Sequence, residues 1–222
     1  MKVGTDGVLL GAWCAVDNYP DSILDIGAGT GVLSLMLAQR SDAMTIDAVE
    51  LDENAYEQTV ENFESSDWGD RLYCYNASFQ EFADEILAEE ETYDLIVSNP
   101  PFYTDTFETS DESRNKARFT SSLSFQELLL GVSKILSDAG RFSVILPFKE
   151  KEIFLSIAKE NKLFLNRFCS VQGNESSVIK RILLEFSFHV SEIIETHLVI
   201  ETGRHQYTEA YKNLTQAFYL KM

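Results

Sequence analysis

The chain combines short apolar runs with segments in which apolar residues recur at helical spacing. The apolar runs predict buried strands at Ile23–Ile26, Met44–Leu51, Arg71–Tyr75, Tyr93–Ser98, Phe142–Leu146, Leu163–Val171, Arg181–Val190 and His197–Ile200. Helical spacing occurs at Val32–Gln39, Asp52–Phe63, Phe79–Leu87, Ser124–Leu136 and Lys149–Asn161. This alternation predicts an α/β fold with a doubly wound, mostly parallel sheet. The C-terminal runs lack long helices between them, which favours an antiparallel edge strand.

Local residues predict where some of the helices begin and end. Asp52 and Ser124 are favourable N-cap residues, and Asp138-Ala139-Gly140 is a stop signal for the helix that Ser124 begins. A chain of 222 residues can bury one sizeable core, so we expect a single domain over residues 1–222.

Composition is that of an ordinary globular protein, with 45% hydrophobic and 24% charged residues. No apolar stretch approaches the length of a membrane span, and we expect a cytoplasmic location and a monomer. Cys14, Cys74 and Cys169 are widely spaced and odd in number, which indicates neither a disulfide framework nor a zinc site.

Charge is divided unevenly along the chain. Residues 1–113 hold 3 Lys/Arg and 25 Asp/Glu, whereas residues 114–222 hold 15 Lys/Arg and 11 Asp/Glu. The first half therefore carries −22 and the second half +4. Only the second half could attract a polyanion such as a nucleic acid.

A glycine turn lies between the first predicted strand and its helix. Its cofactor candidates are Asp25, Gly27, Gly29 and Gly31, and Glu50 ends the second strand. Glycines let a ligand approach the backbone at a helix N-terminus, and a carboxylate at Glu50 can accept both ribose hydroxyls. The spacing GxGxG is one residue shorter than the dinucleotide fingerprint. Asp25 would repel a pyrophosphate but suits an ammonium group, which favours S-adenosylmethionine over a dinucleotide.

The sequence Asn99-Pro100-Pro101-Phe102 follows the fourth predicted strand. Consecutive prolines leave the Pro100 carbonyl without a ladder partner, beside the Asn99 side chain. The two groups can accept both hydrogens of an –NH2 group while the Phe102 ring stacks on the planar system that carries it. Chemistry on adenine is the most obvious use, and a turn that simply ends a strand is the alternative.

These residues together resemble the class I S-adenosylmethionine-dependent methyltransferases that modify amino or amide nitrogens. The segment Lys2–Trp13, the run Ala117-Arg118-Phe119-Thr120 after Arg114, and the tail from Tyr207 to Leu220 are similar to bacterial tRNA1(Val) (adenine(37)-N6)-methyltransferases. The resemblance covers essentially the whole chain. It implies a Rossmann-like seven-stranded sheet whose last strand is antiparallel. It also implies a methyl transfer that requires no metal ion.

The resemblance also implies roles for residues. Asn99 and Pro100 would grip the target nitrogen, and Asn99 would also border the cofactor. Phe102 and Pro101 would contact the base. Thr5 and Asp6 are expected near the methionine end of the cofactor, with an N-cap role as the alternative. Ser78 stands where relatives usually offer an acid to the cofactor's adenine.

Three basic residues follow the Asn99-Pro100-Pro101-Phe102 segment: Arg114, Lys116 and Arg118. They are candidates for binding RNA phosphates and bases. The function implied is methylation of N6 of an adenine in a tRNA anticodon loop. Alternatives are methylation of a glutamine amide in a protein, N6-adenine methylation of another nucleic acid, and a non-catalytic cofactor-binding protein.

Overall fold

The computed structural model describes residues 4–100, 123–204 and 206–220. Its strands are β1 (Ser22–Ile26), β2 (Thr45–Glu50), β3 (Leu72–Asn76), β4 (Tyr93–Ser98), β5 (Leu136–Pro147), β6 (Phe164–Asn174), β7 (Ile179–Ser187), β8 (Ile194–Gly203) and β9 (Gln206–Tyr207). Its helices are α1 (Thr5–Trp13), α2 (Val32–Arg40), α3 (Glu53–Glu64), α4 (Phe79–Ala88), α5 (Phe125–Ile135), α6 (Lys151–Glu160) and α7 (Glu209–Thr215). None of these helices is long and apolar enough to cross a membrane.

The described strands form one mixed sheet in the order β3-β2-β1-β4-β5-β7-β6-β8-β9. Neighbours from β3 to β5 are parallel, whereas β7 is antiparallel to both β5 and β6. The predicted α/β class with a mostly parallel sheet is therefore confirmed. The strand count was wrong, since β8 pairs with β6 and β9 extends the sheet beyond the predicted seven strands. Strand β7, which is antiparallel to both of its neighbours, lies in the interior of the sheet. The antiparallel strand at the edge is β9.

Both faces of the central strands are covered by helices, which explains their uninterrupted apolar runs. Ile23 and Leu95 point to the face that α1, α2, α3 and α7 cover. Leu24 and Ile96 point to the opposite face, beneath α4, α5 and α6. All four side chains are fully buried.

Local capping signals predicted two helix starts correctly, whereas the predicted stop signal was wrong, although the helix itself ends within one residue of the predicted Leu136. Asp52 Oδ1 accepts the Ala55 N–H at 2.9 Å, and Ser124 forms a reciprocal capping box with Glu127. Asp138-Ala139-Gly140, however, lies inside β5. The helix α5 ends at Ile135 because Leu136 already has extended backbone, with φ −78° and ψ 132°. The chain passes directly from helix to strand without a glycine cap.

Candidate active site

The candidate site lies where the carboxyl ends of β1, β2 and β4 meet. Strand β1 pairs with β2 on one side and with β4 on the other, so the chain winds in opposite directions from β1. Such a switch point opens a crevice at the carboxyl edge of a parallel sheet. The glycine turn, Glu50 and Asn99 all follow these three strands and therefore share this edge.

The glycine turn adopts a backbone that few other residues tolerate. Gly27, Gly29 and Gly31 have φ of 72°, 62° and 72°. A Cβ on Gly27 would meet no atom within 4 Å, whereas one on Gly31 would lie 2.5 Å from Phe63 Cε1. The first glycine therefore borders open space that a ligand can use. The third lets the turn pack against α3.

Helix α3 also holds the carbonyl groups of this turn. Thr59 Oγ1 donates to the Gly29 carbonyl at 3.0 Å, and Asn62 Nδ2 donates to the Thr30 carbonyl at 2.9 Å. These bonds fix the backbone before any ligand arrives, which lowers the cost of ordering the turn on binding.

Glu50 is held at the end of β2 by two backbone donors. Its Oε2 accepts the Gly29 N–H at 2.8 Å and its Oε1 accepts the Asp52 N–H at 2.8 Å. Each carboxylate oxygen keeps a further lone pair, so the group can still accept hydrogen bonds from two hydroxyls. The geometry suits the ribose role predicted for Glu50.

Asp25 is fully buried on β1, and its carboxyl is only partly satisfied. Its Oδ2 accepts the Ser34 hydroxyl at 2.8 Å and the Ser34 N–H at 3.2 Å, while its buried Oδ1 has no hydrogen-bond partner. Burial and, to a smaller extent, the Glu50 carboxylate raise the pKa of Asp25 to about 7, although the Ser34 hydrogen bonds oppose the rise. An unsatisfied buried carboxyl with a raised pKa is typical of a site that receives a cation.

The potential around this edge is negative. Burial, together with the Asp25 and Glu50 carboxylates, raises the pKa of the Cys74 thiol to about 12. A cluster of carboxylates favours a positively charged ligand and disfavours a pyrophosphate. This donor set fits S-adenosylmethionine, which carries a sulfonium and an ammonium group.

Asn99 is half-buried directly after β4, and Pro100 beside it is buried. The preceding residue, Ser98, is anchored by its hydroxyl to the Ile26 carbonyl at 3.0 Å, which ties β4 to the glycine turn. A Cβ on Gly7 of α1 would lie 4.0 Å from Asn99 Nδ2. The first turn of α1 therefore borders the candidate catalytic amide.

Thr5 and Asp6 begin α1, and neither caps it. The N-cap residue is Gly4, which makes no side-chain cap, so the alternative N-cap role was wrong. Asp6 instead forms an ion pair with Arg181 of β7, with 2.8 Å between Oδ2 and Nε. Sequence reasoning missed Arg181 because the two residues are 175 positions apart. The pair holds the start of α1 against the sheet beside Asn99.

Ser78 lies at the carboxyl edge after β3 and caps α4. Its hydroxyl donates to Glu81 Oε2 at 2.7 Å and accepts the Glu81 N–H at 3.2 Å. The neighbouring Asn76 donates to the Glu50 carbonyl at 2.9 Å. A contact between Ser78 and the cofactor's adenine stays a prediction. The Ser78 hydroxyl already donates its proton to Glu81, so it could only accept a hydrogen bond from the adenine.

The remaining candidate substrate residues lie outside the described residues: Pro101, Phe102, Arg114, Lys116 and Arg118. Their roles stay predictions. Within the described ranges, no group of three or more His, Cys, Asp or Glu side chains is arranged to hold a metal ion.

Comparisons with known proteins agree with this geometry. Residues 11–118 match the family described as methyltransferase small domain. The chain is 55% identical to the tRNA1(Val) (adenine(37)-N6)-methyltransferase of Christiangramia forsetii, over 100% of this chain and 92% of that protein. It is 43% identical to the protein of the same name from Bacteroides fragilis, with the same coverage of both chains.

Among solved structures, a predicted O-methyltransferase from Agrobacterium tumefaciens superimposes with a TM-score of 0.72. The match covers 96% of each chain at 18% identity, so it bears on the fold alone. Identity of 55% and 43% over the whole of this chain with these curated relatives is decisive for the family. The chain belongs to the tRNA1(Val) (adenine(37)-N6)-methyltransferase family.

Proposed function

We propose that this protein transfers a methyl group from S-adenosylmethionine to the N6 amino group of an adenine in a tRNA anticodon loop, adenine 37 of a valine tRNA. The observation that carries the proposal is the position of Asn99. It lies directly after β4 and beside the first turn of α1, at the sheet edge that also carries the glycine turn. The chain is 55% identical to a relative named tRNA1(Val) (adenine(37)-N6)-methyltransferase.

The cofactor would be held by the carboxylates and the glycine turn. Glu50 would accept the ribose hydroxyls, the buried Asp25 would face the ammonium group, and Gly27 would leave room for close approach of the ligand. When bound, S-adenosylmethionine supplies an activated methyl group on a positively charged sulfur. The negative potential of the site stabilises that charge.

Asn99 and Pro100 would prepare the adenine nitrogen for attack. The N6 lone pair is delocalised into the ring, which makes the nitrogen a poor nucleophile. Accepting its two hydrogens at the Asn99 amide oxygen and the Pro100 carbonyl favours a pyramidal nitrogen and directs its lone pair. These hydrogen bonds strengthen as positive charge develops on the nitrogen, so they favour the transition state over the ground state. The nitrogen can release a proton after it has gained the methyl group, and no general base is required.

The test measures where the methyl label goes. Purified protein is incubated with labelled S-adenosylmethionine and separate pools of tRNA, ribosomal RNA, DNA and protein. We expect label in tRNA, recovered as N6-methyladenine after nuclease digestion and mass spectrometry. Label in protein glutamine or in DNA would contradict the proposal and favour the corresponding alternative.

A variant separates binding from chemistry. Asn99→Ala should retain affinity for S-adenosylhomocysteine but lose about two to three orders of magnitude in turnover, as expected for one transition-state hydrogen bond. Asn213→Ala, on the exposed surface of α7, is the matched control. Turnover of the Asn99 variant within a factor of a few of the control would show that Asn99 only ends the strand.

A further inference from the structure

A second cleft opens at the C-terminal end of the sheet, in the tail to which the proposed mechanism assigns no role. Its volume is about 300 Å³, and the described residues that line it include Thr5, Asn174, Glu201, Tyr207, Tyr211 and Tyr219. We refer to it as the tyrosine cleft. It lies between the start of α1, the end of β6 and the segment from β8 to the tail.

The tyrosine cleft lies on the same edge of the sheet as Asn99. Strands β6 and β8 are parallel to each other, and both run in the direction of β5 because β7 is antiparallel to β5 and β6. Their carboxyl ends therefore join the edge formed by β1 and β4. The first turn of α1 connects the two sites, since Thr5 lines the cleft and Gly7 borders Asn99. Two helical residues advance only about 3 Å.

Packing holds the aromatic rings of the cleft in place. Tyr211 is buried in the core at 2% exposure, and its ring centroid lies 5.2 Å from that of Tyr207. Its hydroxyl lies 3.3 Å from the Tyr219 hydroxyl, in hydrogen-bonding range. Tyr219 itself remains 38% exposed. The cleft therefore offers an exposed ring on an ordered support, which binds planar ligands at low entropic cost.

The polar residues of the tyrosine cleft favour binding of a nucleotide's base over its phosphate. The described lining residues include no lysine or arginine, so a phosphate would find no counter-charge there. Glu201 lines the cleft, and its carboxylate makes no hydrogen bond or ion pair with the part of the chain that the structure describes. Such a carboxylate accepts a hydrogen bond from an exocyclic amino group. Aromatic stacking and edge-on hydrogen bonding together recognise an unpaired base.

We propose that the tyrosine cleft binds one unpaired RNA base near the target adenine, stacked on Tyr219 with an amino group directed at Glu201. This inference rests on the proposed tRNA substrate. It adds a second contact, which selects RNAs by a loop base other than the methylated one.

The test combines protein variants with modified RNA. Anticodon stem-loops of a valine tRNA are synthesised with one abasic nucleotide at each loop position in turn, leaving the target adenine intact. Their dissociation constants are measured by fluorescence anisotropy with S-adenosylhomocysteine present. The proteins are the unaltered chain, Tyr219→Ala, Tyr219→Phe and Tyr19→Ala. Tyr19 is 88% exposed in the loop before β1, at the opposite edge of the sheet, and serves as the matched control.

We expect Tyr219→Ala to weaken binding of the intact stem-loop by about 5- to 150-fold, the range for losing one stacked base. Tyr219→Phe, which keeps the ring, and Tyr19→Ala should bind normally. One abasic position should weaken binding to the unaltered protein by a similar factor and have no further effect on Tyr219→Ala. The melting temperature of each variant and its affinity for S-adenosylhomocysteine report on folding.

The outcomes separate this inference from the proposed function. Additive effects of Tyr219→Ala and every abasic position would overturn the base-binding role. A loss of RNA binding that follows a lowered melting temperature, in Tyr219→Phe as well as Tyr219→Ala, would instead assign the tail to holding α1. Normal tRNA methylation in either case would leave the proposed function standing. Absence of RNA binding by the unaltered protein would overturn both.

Discussion

Gly27 and Gly31 have the same backbone conformation but different surroundings, so alanine substitutions separate strain from packing. Both have φ of 72°, where a Cβ costs about 1–2 kcal/mol. At Gly31 the new Cβ would also lie 2.5 Å from Phe63 Cε1 and 2.9 Å from Thr59 Cγ2. Overpacking of this kind costs about 1–3 kcal/mol more. We therefore expect a loss of about 2–5 kcal/mol for Gly31→Ala and about 1–2 kcal/mol for Gly27→Ala.

Thermal unfolding followed by circular dichroism measures this difference. In a chain of this size, 1 kcal/mol corresponds to about 2–4 °C, so Gly31→Ala should melt about 2–12 °C below Gly27→Ala. Calorimetry should show a larger loss of S-adenosylhomocysteine affinity for Gly27→Ala than for Gly31→Ala, because the Gly27 Cβ would occupy space next to the proposed cofactor. Equal melting temperatures would refute the steric argument. Unchanged affinity in Gly27→Ala would remove Gly27 from the cofactor pocket.

Two further predictions concern the carboxylates. Because burial raises the pKa of Asp25 to about 7, S-adenosylhomocysteine affinity measured by calorimetry should rise with pH by up to about tenfold per unit between about pH 5 and 6.5. The pKa of Asp25 in the folded protein exceeds the unfolded value of about 3.9, so this carboxyl makes the ligand-free protein less stable as pH rises from about 4 to 7. Asp25→Asn should flatten the pH dependence of both the affinity and the stability. An unchanged pH dependence in this variant would exclude Asp25 from cofactor binding. Glu50→Gln presents an amide –NH2 to one of two backbone donors and should weaken binding by about 10- to 150-fold, equivalent to 1.5–3 kcal/mol, whereas the exposed Glu57→Gln should not. Equal affinities for the Glu50 and Glu57 variants would place the ribose elsewhere.

Local sequence predicted the parts of the fold that depend on neighbouring residues. The buried runs became strands because both faces of the central sheet are covered, and Tyr93–Ser98 has the predicted bounds. The N-caps at Asp52 and Ser124 were also correct, since a cap needs only a side chain and an amide three residues later. The end of α5 was predicted to within one residue, but the stop signal assigned to it was wrong, because the pairing of β5 with β4 begins at Leu136, before Gly140.

Contacts between distant residues were beyond the sequence patterns. The turn residues were found because their motif is continuous, but the Asp6–Arg181 ion pair depends on how β7 enters the sheet. Likewise, the tail resembled that of the relatives without revealing its contacts. The tail lines a cleft because β8 and β9 extend the sheet beside it, and the sequence did not predict these strand pairings.

The width of the sheet has a consequence for how the two ligands reach the enzyme. The proposed cofactor position lies at the carboxyl end of β1, whereas the tyrosine cleft lies beside the ends of β6 and β8. Five strand pairings separate β1 from β8, and neighbouring strands lie about 4.8 Å apart, so the two positions are about 24 Å apart across the sheet. An RNA loop that reaches both Asn99 and the cleft would cover the β4 side of the crevice and leave the side at β2 and β3 uncovered. Spent cofactor would then leave on that side without dissociation of the RNA, which favours a random order of product release.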